Sequence, residues 1–299
     1  MDRRSGSLPM ESSNRDRLNG VMSNDTALVL GATGKTGRRV AARLRMHRVP
    51  VRAASRSSRT PFDWSDPTTW DPALRGVAAV YMVAPGTPGP AHEFVARAES
   101  AGVKRVVLLS GRGADTWGDT TFGLEMRDAE SAVRSSALEW TVLRPNNFAQ
   151  NFSEELWYAP VLAGELALPA DGVCEPFIDI EDVADAAAAV LTQPGQHAGK
   201  IYELSGPRAI TFSEAAELIS LAAQIPVDYR SISPSEYTEV LVREGLTEQD
   251  AHHIAEMFVM MQRGVLADPT DGVTTVLGRP ARTFEDYVLR SAATGVWRR

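Results

Sequence analysis

Thr26-Ala27-Leu28-Val29-Leu30, followed at once by Gly31-Ala32-Thr33-Gly34-Lys35-Thr36-Gly37, is the stretch on which the fold of this chain turns. A short run such as Ala27–Leu30 reads as a strand buried on both faces of a parallel sheet. Lys35–Met46 then reads as a helix, with Val40 and Leu44 at i, i+4. Glycines between such a strand and such a helix permit a tight turn and close approach of a pyrophosphate to the backbone. The helix N-terminus adds unpaired N–H donors and a partial positive charge. A tight turn with no ligand is the plainer alternative, but the strand–turn–helix context at the start of the domain favours a dinucleotide over loop 31–37.

The embedded Gly34-Lys35-Thr36 raises a second possibility, a phosphate loop for ATP. That motif needs a glycine five positions before its Gly-Lys pair, and Val29 stands there, inside the strand. The G-x-x-G-x-x-G spacing belongs instead to loops of the short-chain dehydrogenase type. The end of the second strand decides between coenzymes. NAD-binding chains usually carry an acid about 20 residues past the loop, to accept from the ribose 2′-hydroxyl. Here the text is Arg52-Ala53-Ala54-Ser55-Arg56-Ser57-Ser58-Arg59, with no acid. Arg56, flanked by Ser55 and Ser57, suits a 2′-phosphate through charge-assisted hydrogen bonds, so NADPH is expected. Asp63 suits an adenine amine, or is an exposed turn aspartate.

Composition narrows the partners. The 299 residues are 43% hydrophobic and 23% charged, ordinary for a globular protein. A net charge of −7 leaves no basic footprint for nucleic acid. The single cysteine, Cys174, excludes an intrachain disulfide and a cysteine-based metal site, and the five histidines show no zinc spacing. No apolar run is long enough to span a bilayer. A reducing, cytoplasmic setting is expected. Residues 1–25, rich in Ser, Asn and Arg without an apolar core, read as a disordered extension.

Further along, Val51–Ala54, Ala78–Ala84, Arg105–Leu109 and Trp140–Leu143 read as strands, separated by helical segments near Ala91–Ala101 and Gly123–Ser136. That rhythm implies right-handed βαβ crossovers, hence an α/β, doubly wound parallel sheet. The beat breaks near Pro145, returns at Phe177–Leu191 and Lys200–Leu204, and gives way to helices over Phe212–Ala223, Ser235–Glu244 and Glu248–Met261. The expected organisation is a dinucleotide lobe over 26–150, rejoined by 173–205, and a smaller, mainly helical substrate lobe from 151–172 and 206–299.

The segments GATGKTGRRV (31–40), FDWSDPTTW (62–70), RVVLLSGRG (105–113), EWTVLRPNNFAQNF (139–152), EPFIDIEDVAD (175–185) and GKIYELSGP (199–207) resemble the NmrA-like group of atypical, extended short-chain dehydrogenases/reductases. The stretch from Arg144 to Ser153 and the Gly-Lys-Thr loop are similar to those of its ergot-alkaloid reductases. The resemblance implies a Rossmann-type sheet, NADP(H) and a C-terminal substrate lobe. It leaves open whether a member reduces quinones, imines or enones, or senses NADP without chemistry. By position it implies that Gly31, Thr33, Gly34, Lys35, Thr36, Gly37 and Arg56 meet the coenzyme phosphates, and that Val83, Ala84 and Pro85 lie along the nicotinamide ribose. Ser110 takes the place of the short-chain enzymes' active serine, and Asn146 and Phe148 border the nicotinamide. For each of these, ordinary loop or core packing is the alternative.

Typical short-chain dehydrogenases use a tyrosine as general acid and a lysine four residues on. The segment due to carry them, Phe122 to Glu130, has Leu124 and Asp128 at those positions, and between Tyr81 and Tyr158 the only lysine is Lys104, with no tyrosine. A ketone, whose reduction yields an alkoxide needing a proton, is therefore disfavoured. An iminium needs only hydride, and an enone or quinone needs a proton from water or another residue. Tyr158, Glu125, Asp128 and His92 are the candidate donors, with Ser110 and Asn146 beside the reacting centre. Phe148, Phe152, Trp157, Met257, Phe258, Met260 and Met261 read either as an adaptable wall for a flat apolar substrate or as helix-packing core. The expected activity is NADPH-dependent reduction of a small hydrophobic secondary metabolite at a C=N or activated C=C bond. The alternatives are an NADP-sensing regulator and a redox-neutral isomerase or cyclase.

Overall fold

The computed structural model describes residues 25–116 and 123–298, so residues 1–24 of the expected disordered extension, and Phe122, lie outside the described residues. The strands are β1 (Thr26–Leu30), β2 (Val51–Ser55), β3 (Thr60–Pro61), β4 (Val77–Val83), β5 (Arg105–Leu109), β6 (Glu139–Pro145), β7 (Glu165–Leu168), β8 (Cys174–Glu175), β9 (Lys200–Leu204), β10 (Ile210–Thr211) and β11 (Asp228–Ser231). The α-helices are α1 (Lys35–Met46), α2 (Trp70–Leu74), α3 (Pro90–Ser100), α4 (Leu124–Arg134), α5 (Tyr158–Ala163), α6 (Ile180–Thr192), α7 (Phe212–Ala223), α8 (Pro234–Arg243), α9 (Glu248–Gln262), α10 (Gly272–Leu277) and α11 (Phe284–Thr294).

Seven strands form a parallel sheet in the order β3-β2-β1-β4-β5-β6-β9. Side chains alternate across the pleat, so a strand apolar at every position must be covered on both sides. In β1, Ala27 and Val29 pack with α1, α6 and α10, whereas Leu28 and Leu30 pack with α2, α3 and α4. The chain runs from the sheet centre to one edge through β2 and β3, then returns to build the other half through β4. The switch point therefore lies between β1 and β4, and a crevice opens at their carboxyl ends. This is the doubly wound Rossmann architecture.

A separate apolar cluster gathers Phe152, Trp157, Phe177, Phe212, Phe258, Tyr287 and Trp297, with edge-on and tilted ring pairs such as Trp157–Phe212 at 5.0 Å. Around it α5, α7, α8, α9 and α11 form the mainly helical second lobe. Capping fixes several helix starts: Thr211, Thr247 and Thr283 each accept from an N–H of the first turn, and Ser233 makes a reciprocal capping box with Glu236.

The expected lobe boundaries differ from this packing in two places. The β8 strand pairs with β10, so residues 174–175 pair with the segment after the sheet. Helix α10 packs its Val273 and Val276 into the cluster of α6 and the sheet. Both follow from the chain crossing between clusters through short connections, which a one-dimensional boundary does not capture.

Ion pairs tie α1 to α6 and to the segment after β6. Arg39 bridges Glu154 at 2.5 Å and Glu181 at 2.6 Å, Arg43 bridges Glu181 and Asp185 at 2.5 Å each, and Arg282 bridges Asp182 and Asp185. Among the described residues no helix is long and apolar enough to cross a membrane.

Candidate active site

The glycine loop is built for close approach. Gly31 has φ +61°, a left-handed conformation that L side chains rarely adopt. Gly37 sits so near it that a Cβ would stand 2.3 Å from the Gly31 carbonyl oxygen. The first turn of α1 thus rests directly on the loop. Gly34 is the N-cap, no side chain caps the turn, and no acid lies within it. Helix-start N–H groups have no intrahelical acceptor, so this turn suits an anionic group. Thr36 is buried with its side chain against Tyr81, so it can offer a phosphate its backbone N–H. Thr33 lies in the same turn, between Gly31 and Gly34.

At the end of β2 the turn is held by Ser58, whose hydroxyl accepts from the Ser55 N–H at 2.8 Å and donates to the Thr60 carbonyl at 2.7 Å. That turn leaves Arg56 and Ser57 exposed and buries the Ser55 hydroxyl with no hydrogen-bond partner among the described residues. A buried orphan oxygen beside an exposed guanidinium fits a phosphoryl group. Asp63 is committed to its own turn: its carboxylate accepts from the Ser65 N–H at 2.9 Å and the Ser65 hydroxyl at 2.7 Å. Those bonds, Ser65 N–H first, and then the Arg56 charge, hold its carboxyl below the usual carboxylate range.

A cavity of about 350 Å³ opens along the carboxyl ends of the central strands. Lys35, Val83, Ala84 and Pro85 line one side, Ser110, Asn146 and Phe148 the middle, and Met257, Met260 and Met261 of α9 the far wall. The parallel register brings these together: Val83 pairs with Leu109 and Leu109 with Leu143, so the residues just beyond each strand share one level. The Lys35 ammonium is directed across the crevice, donating to Asn151 at 2.7 Å and Glu155 at 2.6 Å, with the Phe148 ring centroid 5.2 Å away. Its charge is thus shared with the second lobe rather than held at the loop alone.

The polar groups beside the cavity are tightly committed. The Ser110 hydroxyl donates to Glu130 at 2.6 Å, and Arg144, which also pairs with Asp115 at 2.8 Å, holds Glu130 in place. Asn146 accepts from Arg112 at 2.8 Å and spends its amide hydrogens on Glu175 at 2.9 Å and the Leu266 carbonyl at 3.2 Å. Ser110 and Asn146 border the cavity, but their hydrogens are already donated to protein acceptors.

Glu175, Asn147 and Arg112 line the same cavity and did not stand out in the sequence. The only local trace is an isolated acid between Cys174 and Pro176 in a run that is otherwise apolar. Glu175 is buried, its Oε1 accepting from Asn146 Nδ2 and from the Asn147 N–H, each at 2.9 Å. Burial raises its pKa above the ordinary value, against the opposing hydrogen bonds of Asn146 and Asn147 and the charge of Arg112.

Several expected residues lie elsewhere. Tyr158, proposed as a proton donor, does not line the cavity; its hydroxyl donates to the Val296 carbonyl at 3.0 Å because the C-terminal segment folds back over α5. Phe152, Trp157 and Phe258 are fully buried in the second lobe's core, so the aromatic half of the expected wall is packing, while the methionines and Phe148 do face the cavity. Asp128 accepts from the Gly89 N–H at 2.8 Å, with His92 3.4 Å from its other oxygen, and neither lines the cavity; Glu125 does.

Comparison with known proteins accords with this geometry. The chain is 32% identical to festuclavine synthase I of Penicillium roqueforti over 88% of this chain and 96% of that protein. It superposes on the NADPH-dependent quinone oxidoreductase of Escherichia coli, crystallised with NADPH, with a TM-score of 0.76 and 26% identity over 89% of this chain and 99% of that one. It shares the fold of NmrA, a negative transcriptional regulator crystallised with NAD, at a TM-score of 0.66 and 17% identity over 91% and 98% of the two chains. The family described as NAD(P)H-binding matches residues 31–194, more than half of the sequence. The chain belongs to that NAD(P)H-binding family.

Proposed function

We propose that this protein is an NADPH-dependent reductase of a small, flat, apolar molecule carrying an activated C=C or C=N bond. The observation that carries the reading is the cavity itself. It runs from the strand ends beside the glycine loop, past Ser110 and Asn146, to a wall of methionines. Its size lies within the range of small-molecule sites.

On this reading loop 31–37 and the start of α1 hold the pyrophosphate, and Arg56 with Ser55 holds the 2′-phosphate. Val83, Ala84 and Pro85 lie along the ribose, and Phe148 borders the nicotinamide. A bound reduced nicotinamide supplies hydride. The chain's own part is to bind the acceptor against that ring, to exclude water with Met257, Met260, Met261 and Leu266, and to orient the acceptor beside Asn146. The name of the NADPH-dependent quinone oxidoreductase of Escherichia coli supports reduction as the reaction class.

The test is calorimetry with both coenzymes, followed by anaerobic incubation with NADPH and a panel of quinones, enones and cyclic imines, read at the nicotinamide absorbance. Binding of NADPH in preference to NADH, with oxidation by at least one acceptor, is the expected result. Arg56→Ala is expected to weaken NADPH about 10- to 100-fold and leave NADH unchanged, the effect of removing one charged hydrogen-bonding partner. No uptake of either coenzyme overturns the reading.

A further inference from the structure

We infer that Glu175 donates the proton that completes reduction, which makes quinones and enones, rather than iminium ions, the substrate class this site is built for. The inference rests on the reductase reading above. Among the polar groups lining the cavity, Glu175 combines burial with unspent capacity. Its Oε1 is saturated by the Asn146 amide, the Asn147 N–H and the Asn147 amide, the last at 3.4 Å. Its Oε2 is buried and has no hydrogen-bond partner among the described residues. A lone buried carboxylate oxygen is costly, whereas a neutral carboxyl places its hydrogen on the oxygen that receives no donors. The three donors on Oε1 therefore fix which oxygen carries the proton.

The surroundings support a neutral acid that ionises only in passing. Met257, Met260, Met261 and Leu266 share the cavity wall. The charged groups facing it are already paired: Arg112 with Glu203 at 3.3 Å and Lys35 with Glu155 at 2.6 Å, while Glu125 stands on α4 across the cavity. Arg112 also reaches Asn146, so its positive charge lies one side chain from the carboxyl and stabilises the carboxylate left after transfer. Ser110 and Asn146 have already given their hydrogens to protein acceptors.

The step balances as follows. An enone or quinone accepts a hydride at carbon, with the reduced nicotinamide coenzyme as the two-electron reductant, and its displaced π pair collects on oxygen. The Oε2–H bond of Glu175 breaks as an O–H bond forms on that oxygen, leaving a carboxylate held by Asn146 and Asn147 and a neutral enol, which for a quinone is the keto tautomer that becomes the hydroquinone when its sp3 carbon gives a proton to water and its remaining carbonyl oxygen takes one up. Water returns the proton once product has left.

Two measurements test this. Glu175→Gln keeps an acceptor for Asn146 and Asn147 but has no transferable proton. It is expected to bind NADPH as the parent does, to reduce quinones and enones about 100-fold more slowly, the scale of general-acid catalysis, and to reduce a cyclic iminium at nearly the parental rate. Infrared spectra of the unsubstituted protein labelled with ¹³C-glutamate are expected to keep a protonated glutamate band at neutral pH, a readout that needs neither turnover nor a variant. Parental quinone reduction in Glu175→Gln, or a spectrum with every glutamate ionised at neutral pH, overturns the inference and leaves the reductase reading standing. An unsubstituted protein that leaves NADPH unoxidised in the presence of every quinone, enone and iminium tried overturns both.

Discussion

Arg144 grips Glu130 through two parallel hydrogen bonds, Nε to Oε1 at 2.8 Å and Nη2 to Oε2 at 2.7 Å, and both residues are almost wholly buried. Glu130 is on α4 and Arg144 on β6, so the pair locks a helix to the sheet and fixes the carboxylate that receives the Ser110 hydroxyl. Paired charges in a dry interior are held by each other rather than by water, and the loss of one strands the other. Arg144→Met is therefore expected to destabilise the protein by about 3–5 kcal/mol, measured by urea unfolding. Adding Glu130→Leu is expected to recover much of that loss, because the stranded charge is then gone. A single Arg144 variant as stable as the parent would show that the pair is not what joins α4 to β6.

Gly37 allows a second prediction. A methyl group at this position would lie 2.3 Å from the Gly31 carbonyl oxygen and 2.7 Å from its carbon, both backbone atoms that cannot swing aside. Gly37→Ala is expected to push α1 off the loop, costing about 1–3 kcal/mol of stability and at least about tenfold in coenzyme affinity. Gly76→Ala is the control. Its φ is positive, +67°, but a Cβ there meets nothing within 4 Å, so it carries backbone strain without touching the loop. Equal coenzyme affinity in the two variants would separate the glycine packing from binding.

What the sequence disclosed about this molecule was what local pattern can encode. The strand Thr26–Leu30, the glycines at 31, 34 and 37, and the absence of an acid after β2 are each legible within a dozen residues, because sheet burial and loop geometry act at that range. Arg56 is legible for the same reason. Glu175 is not: its role arises where β8, the end of β6 and α9 meet, and nothing near Cys174-Glu175-Pro176 announces Asn146, Asn147 or Met261. Phe152, Trp157 and Phe258 misled in the opposite direction, since an aromatic side chain reads alike whether it walls a cavity or fills a core. The lobe that holds them does so through contacts between segments more than a hundred residues apart, such as the Trp297 indole donating to the Phe152 carbonyl.

The pH dependence of stability is expected to have two limbs of opposite origin. Asp185 and Glu154 are held below their ordinary values of 3.8 and 4.5 by hydrogen bonds and charges of Arg43, Arg282, Arg38 and Arg39, which outweigh burial. Depressed in the fold, they stabilise it above those values, and that contribution is lost as pH falls through their folded pKa values. Glu175 is raised above its ordinary 4.5. Its neutral form therefore supports the fold fully below 4.5, and that support is lost as pH rises through its higher folded pKa. Unfolding in urea across a pH series is expected to show Asp185→Asn flattening the acid limb and Glu175→Gln the alkaline one. An alkaline limb unchanged in Glu175→Gln would place the titration elsewhere.

Tyr158 is one of the four proton donors that the sequence offers, and the structure puts it out of reach. Its hydroxyl donates to the Val296 carbonyl, 138 residues on, and its ring packs against the second lobe's core. A phenol serving as a general acid must stand within hydrogen-bond reach of the reacting group, whereas this one fastens the C-terminal segment to α5. Tyr158→Phe is accordingly expected to leave kcat and KM for any reducible acceptor within about twofold of the parent. It should lower stability by about 1 kcal/mol, the loss of one partly buried hydrogen bond, and loosen residues near Val296 to hydrogen exchange. A large fall in kcat without a change in stability would put the phenol back in the chemistry and would require the C-terminal segment to release it during turnover.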